Sequence, residues 1–178
     1  GVFVGYLAQD THYLTDYSRA LATTAAQAPA PDEATFWIKA SHNALVAEQE
    51  MLHDTRVPDL AAHTASPTTV GYSSYLVATA ATAGYAVSAA ALLPCFWLYA
   101  DVGTRLLAQT GELTGHPYGD WIGTYADPTF NEDAAQARRI VDRIAEQATP
   151  DVRDRMRLAF ETASRFEWMF WDAAHRQE

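Results

Sequence analysis

The chain has 178 residues, of which 49% are hydrophobic and 12% aromatic, and its 12 basic and 22 acidic side chains give a formal charge of −10. That composition excludes a disordered chain and suits one domain, residues 1–178, with a full core. The negative charge opposes phosphate backbones, so no nucleic-acid partner is expected.

A single cysteine, Cys95, excludes an internal disulfide and predicts a reduced, cytoplasmic setting. No apolar run of spanning length and no signal peptide is read, so no membrane partner is expected. The opening GVFVGYLAQD already lies inside an amphipathic pattern, which predicts a start in mid-element and residues before Gly1.

The elements are nearly all helical. A first helix is predicted from about Val2 to Gln27, stopped by APAP at Ala28 to Pro31. A second begins with Asp32 as N-cap and runs to about His53. DTRVPDLAAHTA follows as the main irregular stretch. Ser66-Pro67 pairs a cap with proline at the first helical position and opens a third helix, which ends near Gly84. A fourth runs from Tyr85 to about Gln109 and closes at Gly111, and a short helix is predicted at Tyr118 to Tyr125. Two long helices complete the chain, from about Phe130 to Ala148 and from Pro150 to His175. The pattern is an all-α antiparallel helical bundle.

Polar groups interrupt its inward faces. The first helix presents Phe3, Tyr6, Leu7, Asp10, Tyr13, Leu14, Tyr17 and Leu21, and Asp10 sits mid-stripe. The last presents Phe160, Ala163, Ser164, Glu167, Phe170 and Trp171, with Glu167 central and Phe166 and Trp168 adding apolar bulk. The fourth aligns Ser88, Leu92, Cys95 and Tyr99, and the third Thr69, Tyr72, Leu76 and Thr79. A buried carboxylate costs several kcal/mol unless it is paired, hydrogen-bonded or protonated. Each acid could be a structural hydrogen-bond hub. Two acids, a thiol and several tyrosines turned inward also describe a polar pocket.

Cys95 follows Pro94 within a helical run. Proline removes one helical hydrogen bond, freeing the Ala90 carbonyl, and opens space beside the next turn. Cys95 and Tyr99, at i and i+4, both face that space. A buried cysteine can be only a small hydrophobe. A nucleophilic one needs a donor network, which Asp10 and Tyr13 could supply.

Metal chemistry is the rival reading of interior acids. Glu50 and His53 form one Glu-x-x-His pair, and no second pair is found, so no metal site is expected. Arg138, Arg139 and Arg143, set among Glu132, Asp133, Asp142 and Glu146, read as a solvated face.

YLAQDTHYL, SPTTVGYSSYL, AALLPCFWLYADVG, HPYGDWIGTYADPTF and FEWMFWDAAHR together resemble the TenA (thiaminase II) family over essentially the whole chain. The resemblance implies the haem-oxygenase-like helical fold without haem, no cofactor, and a homotetramer. It implies hydrolysis of aminopyrimidines in thiamin salvage with release of ammonia, and cleavage of thiamin into its pyrimidine and thiazole halves. It assigns Cys95 as nucleophile, Glu167 as proton donor and Tyr13 as activator of the cysteine. It further implies that Asp10 binds the pyrimidine's amino edge and that Tyr72, Tyr99 and Tyr125 contact the substrate.

Against the family pattern, a further N-terminal helix is expected before Gly1 and is not read in this sequence, Val70 and His12 stand where aromatics are common, and the loop between His53 and Ser66 reads as short. Glu167, among apolar neighbours, is expected to stay protonated, and Asp10 to stay charged through hydrogen bonds. Two alternatives use the same fold: a pyrimidine-binding or regulatory protein without turnover, and a metal- or oxygen-using relative.

Overall fold

The computed structural model describes residues 1–52, 57 and 62–176, and for 47–52 the backbone alone. Among them are seven helices and no strand: α1 (Val2–Gln27), α2 (Pro31–Leu52), α3 (Pro67–Thr82), α4 (Tyr85–Thr110), α5 (Gly119–Ala126), α6 (Pro128–Gln147) and α7 (Pro150–Arg176). The Glu50–His53 pair and most of DTRVPDLAAHTA lie outside the described residues.

Local chemistry sets the boundaries. The Ser66 hydroxyl accepts from the Thr69 N–H (3.1 Å) and Pro67 opens α3, as the sequence predicts. The Asp127 carboxylate does the same for Thr129 (2.7 Å) ahead of Pro128, so α6 starts two residues before the expected Phe130. The helix α2 likewise begins at Pro31 rather than after Asp32. Asp32 therefore sits in the first turn, where a negative charge meets the positive end of the helix dipole, and is not the cap. Gly84 has φ 83°, a backbone state glycine adopts without steric cost, and this lets α4 turn back immediately after α3.

The helix α1 packs chiefly on α2 and α3, and α4 on α7, α6 and α5. Contacts of α7 with α3 and α1 close the bundle, so α1, α3, α4 and α7 surround one interior. The predicted stripes are the buried faces: Leu7, Asp10, Tyr13 and Tyr17 on α1, Tyr72 and Leu76 on α3, and Glu167 and Phe170 on α7. Full burial of each large apolar side chain contributes about 1.5–3 kcal/mol.

By length and composition α4 is apolar enough to cross a membrane, contrary to the sequence expectation, and 67% of its most apolar stretch is buried in the bundle. Its hydrophobicity is that of a central core helix. The helix continues through Pro94, and the Tyr17 hydroxyl donates to the nearby Leu92 carbonyl (2.9 Å).

Two devices hold the elements that frame the interior. Glu33 of α2 is 4% exposed and accepts from Tyr85 Oη of α4 and from the Arg143 guanidinium of α6. Trp37 Nε1 donates to Tyr85 Oη (2.9 Å), which completes a partly buried network joining three helices. At Gly103 a Cβ would stand 2.6 Å from the Tyr125 carbonyl carbon, so only glycine lets α5 lie this close to α4. Both predicted basic side chains nearest α2 and the surface acids are engaged: Arg143 with Glu33, and Arg139 with Glu132 (2.6 Å). Arg138 lies over the Trp97 ring (4.1 Å).

Candidate active site

Side chains from four long helices converge behind Cys95. Glu167 of α7 is 1% exposed, and its Oε1 accepts from Tyr72 Oη of α3 (2.7 Å). Tyr72 is sandwiched between Phe166 (centroids 5.3 Å apart) and Tyr13 of α1 (4.8 Å). Tyr13 in turn stacks on Tyr17 (5.3 Å). A second group lies along α4: Tyr99 Oη receives hydrogen bonds from Tyr6 Oη (3.1 Å) and Trp171 Nε1 (3.2 Å), and its ring meets Tyr125 of α5 (4.8 Å). Aromatic packing of this kind holds each ring in one orientation.

Electrostatics follow from burial. Loss of solvent raises the Glu167 carboxyl to about 8; the Tyr72 hydrogen bond opposes the rise, and the charge of Asp10 adds to it. Glu167 therefore carries its proton at neutral pH, as the sequence predicts.

Asp10 departs from expectation. Burial, which leaves it 3% exposed, raises it to about 7, so it is not held fully ionised at neutral pH. The sequence placed Asp10 on the inward face but did not show how strongly desolvation there would oppose its charge.

Burial also pushes the Cys95 thiol well above its ordinary value, with the Glu167 charge adding to the rise and the Tyr13 and Tyr17 hydroxyls opposing it. The thiol is neutral at rest. Tyr6, Tyr13, Tyr72, Tyr99 and Tyr125 are raised by the same desolvation, so each remains a hydrogen-bond donor.

Cys95, half-buried, lies on the wall of a cavity of about 680 Å3 that falls between α1, α2, α4, α5 and α6. Tyr17, Phe96, Tyr125 and Phe130 give it an aromatic lining, and Asp120, Asp127 and Asp133 bring negative charge to it. Of the residues singled out in the sequence, Cys95 and Tyr125 face this cavity. Tyr13, Tyr72, Tyr99, Asp10 and Glu167 form the packed layer beside it.

Two buried polar atoms in that layer, Tyr13 Oη and Glu167 Oε2, have no well-formed hydrogen bond. Buried polar atoms without partners mark positions where a ligand or water completes the bonding.

Trp168 is a correction. It is 63% exposed and adds nothing to the surroundings of Glu167, because adjacent helical positions point about 100° apart. Phe166 does contribute, through Tyr72. Tyr6, Tyr17 and Trp171 were on the predicted stripes without an assigned role. Asn43 and the α5–α6 aspartates carried no periodic signal and were missed. His12 uses Nε2 to donate to the His63 carbonyl (2.7 Å), and Val70 is half exposed, so neither departure from the family pattern reaches this layer. Among the described residues no group of three or more His, Cys, Asp or Glu is placed to hold a metal ion.

The chain matches the TENA/THI-4/PQQC family over residues 1–177. It is 35% identical to the aminopyrimidine aminohydrolase of Bacillus subtilis, across 99% of this chain and 76% of that protein. It is 36% identical to the thiamine biosynthesis multifunctional protein ThiED of Corynebacterium efficiens across 98% of this chain, and it spans only 24% of that longer protein.

Among solved structures, the TenA homologue from P. horikoshii OT3 superposes with a TM-score of 0.84 at 26% identity, covering 99% of this chain and 84% of that one. A TenA homologue from Pyrococcus furiosus shares the fold with a TM-score of 0.86 at 21% identity, covering 97% and 83%. With the inward acids, the cysteine at the cavity wall and the whole-length match together, the chain belongs to the TENA/THI-4/PQQC family.

Proposed function

We propose that this chain is a thiamin-salvage hydrolase that removes ammonia from 4-amino-5-aminomethyl-2-methylpyrimidine and also cleaves thiamin between its two rings. The observation that carries the reading is Cys95 at the wall of a cavity, backed by a protonated glutamate and a bonded tyrosine layer. The relatives named aminopyrimidine aminohydrolase support it at up to 35% identity across this chain.

In this mechanism Glu167 gives its proton to a ring nitrogen, which makes the adjacent ring carbon electrophilic. The Cys95 sulfur adds there, and the thiol proton returns to Glu167, so the thiol ionises only as the bond forms. The ring's new electron pair expels neutral ammonia from the aminomethyl group, which binds as its ammonium, or the neutral thiazole from the thiazolium of thiamin, at the neighbouring methylene. Water adds to the methylene, and the sulfur departs with a proton as the ring regains aromaticity. Tyr13 donates toward the sulfur, Asp10 receives the ring's exocyclic amine, and Tyr72, Tyr99 and Tyr125 hold the ring plane.

The cavity lies within the range of small-molecule sites, roughly 300–1,000 Å3, and has room beyond one ring for a leaving group. Its aspartates suit a cationic one, whether ammonium or thiazolium.

Cys95→Ala tests the reading: ammonia release from the aminomethyl pyrimidine is lost while the helical circular dichroism is retained. Turnover equal to wild type in that variant refutes it. A mixed assay of aminomethyl, formylaminomethyl and thiamin substrates then ranks them by kcat/KM.

A further inference from the structure

Among the described residues four buried side-chain polar atoms lack a hydrogen bond: Tyr13 Oη, Glu167 Oε2, Trp121 Nε1 and Ser164 Oγ. The last is unusual for this chain. Helical hydroxyls here turn back to the carbonyl three or four residues earlier: Thr11 to Leu7, Ser18 to Thr15, Thr24 to Ala20, Ser88 to Gly84. That local bond is the simplest way to satisfy a buried hydroxyl. Ser164 does not make it, although its oxygen is shielded from solvent.

Ser164 stands three residues before Glu167, so the two side chains are neighbours on one face of α7. At about 100° per residue, Phe160 and Trp171 lie within about 40° of it. Phe160 packs on Trp97 (5.8 Å) and Trp171 on Tyr99 (5.4 Å), both on α4. The Ser164 side of α7 therefore faces the helix that carries Cys95. Glu167, meanwhile, has one oxygen held by Tyr72 and the other unbonded.

We propose that Ser164 is a positioning residue for Glu167, its hydroxyl serving as the second donor to the carboxyl by reaching Oε2 through side-chain rotation or one water molecule. Two donors, Tyr72 on Oε1 and Ser164 on Oε2, fix the carboxyl plane. They also favour its charged form, against burial and the negative charge of Asp10. The other titratable groups around Glu167 are Tyr6, Tyr13 and Tyr17 from α1, Tyr72 from α3, Cys95 and Tyr99 from α4, and Tyr125 from α5. Among these, the tyrosines and the thiol are neutral at the pH where Glu167 titrates, which leaves Asp10 as the charged competitor.

The proton-donor role of Glu167 is part of the proposed function, so the primary test is independent of turnover. Infrared difference titration follows the Glu167 carboxyl, its band identified by loss in Glu167→Gln. In Ser164→Ala the midpoint moves up by about one pH unit, a tenfold gain in proton affinity. Ser164→Thr keeps the hydroxyl and returns the midpoint to the wild-type value. Ser164→Val, isosteric with threonine, repeats the alanine shift and makes the same comparison at constant volume if alanine perturbs folding. A midpoint equal to wild type in both hydroxyl-free variants overturns the proposal, as does a threonine variant that shifts as far as valine. In turnover, the basic limb of the kcat/KM profile moves with the midpoint while KM is retained. A titration shift in a protein without turnover supports the positioning role and counts against the hydrolase reading alone.

Discussion

Replacing Glu167 by glutamine changes how stability depends on pH. In the folded protein this carboxyl titrates at about 8, raised from 4.5 mainly by burial. Between those values the folded state holds a proton that the unfolded state has released. Stability from this group is therefore complete below about pH 4.5 and declines as pH rises toward 8. Each pH unit inside the window costs about 1.4 kcal/mol, so from pH 5 to pH 7 Glu167 accounts for a loss of about 3 kcal/mol.

Asp10, raised from 3.8 to about 7, adds a decline of the same sign over a lower window that fades as pH 7 is reached. In Glu167→Gln the amide still accepts from Tyr72, the shape is kept and the Glu167 contribution vanishes. Urea unfolding at pH 5, 6 and 7, read by tryptophan fluorescence, should therefore show a pH slope cut by about half or more in the variant. The mutant overtakes wild type in stability at the alkaline end. An unchanged slope refutes the assignment of a protonated, desolvated carboxyl, and with it the reasoning that makes Glu167 a proton donor.

Two further substitutions test the frame around the site. Gly103→Ala drives a Cβ to within 2.6 Å of the Tyr125 backbone, so we expect about 1–3 kcal/mol of destabilisation in denaturant melts and weaker binding of a pyrimidine ligand by calorimetry as Tyr125 is displaced. Glu33→Ala leaves the Tyr85 hydroxyl, which itself accepts from Trp37, without its acceptor and releases the half-exposed Arg143, at a cost of about 1–3 kcal/mol. The cost of the Glu33 substitution appears as a lower urea midpoint, and a midpoint within error of wild type would show that the network contributes nothing.

Helical periodicity alone located Asp10, Glu167 and Cys95 on inward faces of three different helices. It works because each element is long and amphipathic, so a polar residue in an apolar stripe has only the interior to face. Proline and glycine placement likewise defined most boundaries, since their backbone restrictions act locally. Family resemblance then linked those residues to a chemistry. Other features depended on parts of the chain far apart in sequence. Tyr72 and Glu167 are 95 residues apart, and only the α3–α7 contact makes them hydrogen-bonded partners.

The charge of Asp10 depended on how completely the packed layer removes it from solvent, and that burial raises it to about 7. Trp168 looked like a neighbour of Glu167 because it is adjacent in sequence, whereas helix geometry turns it to solvent. The cavity wall from Asp120 to Phe130 comes from a short helix, the link after it and the first turn of α6, a span too broken for a repeating pattern to signal burial. Sequence determined which faces turn inward because that is a local property of each helix. Tertiary structure decided which inward groups meet, and desolvation at those meetings decided which of them keep their protons.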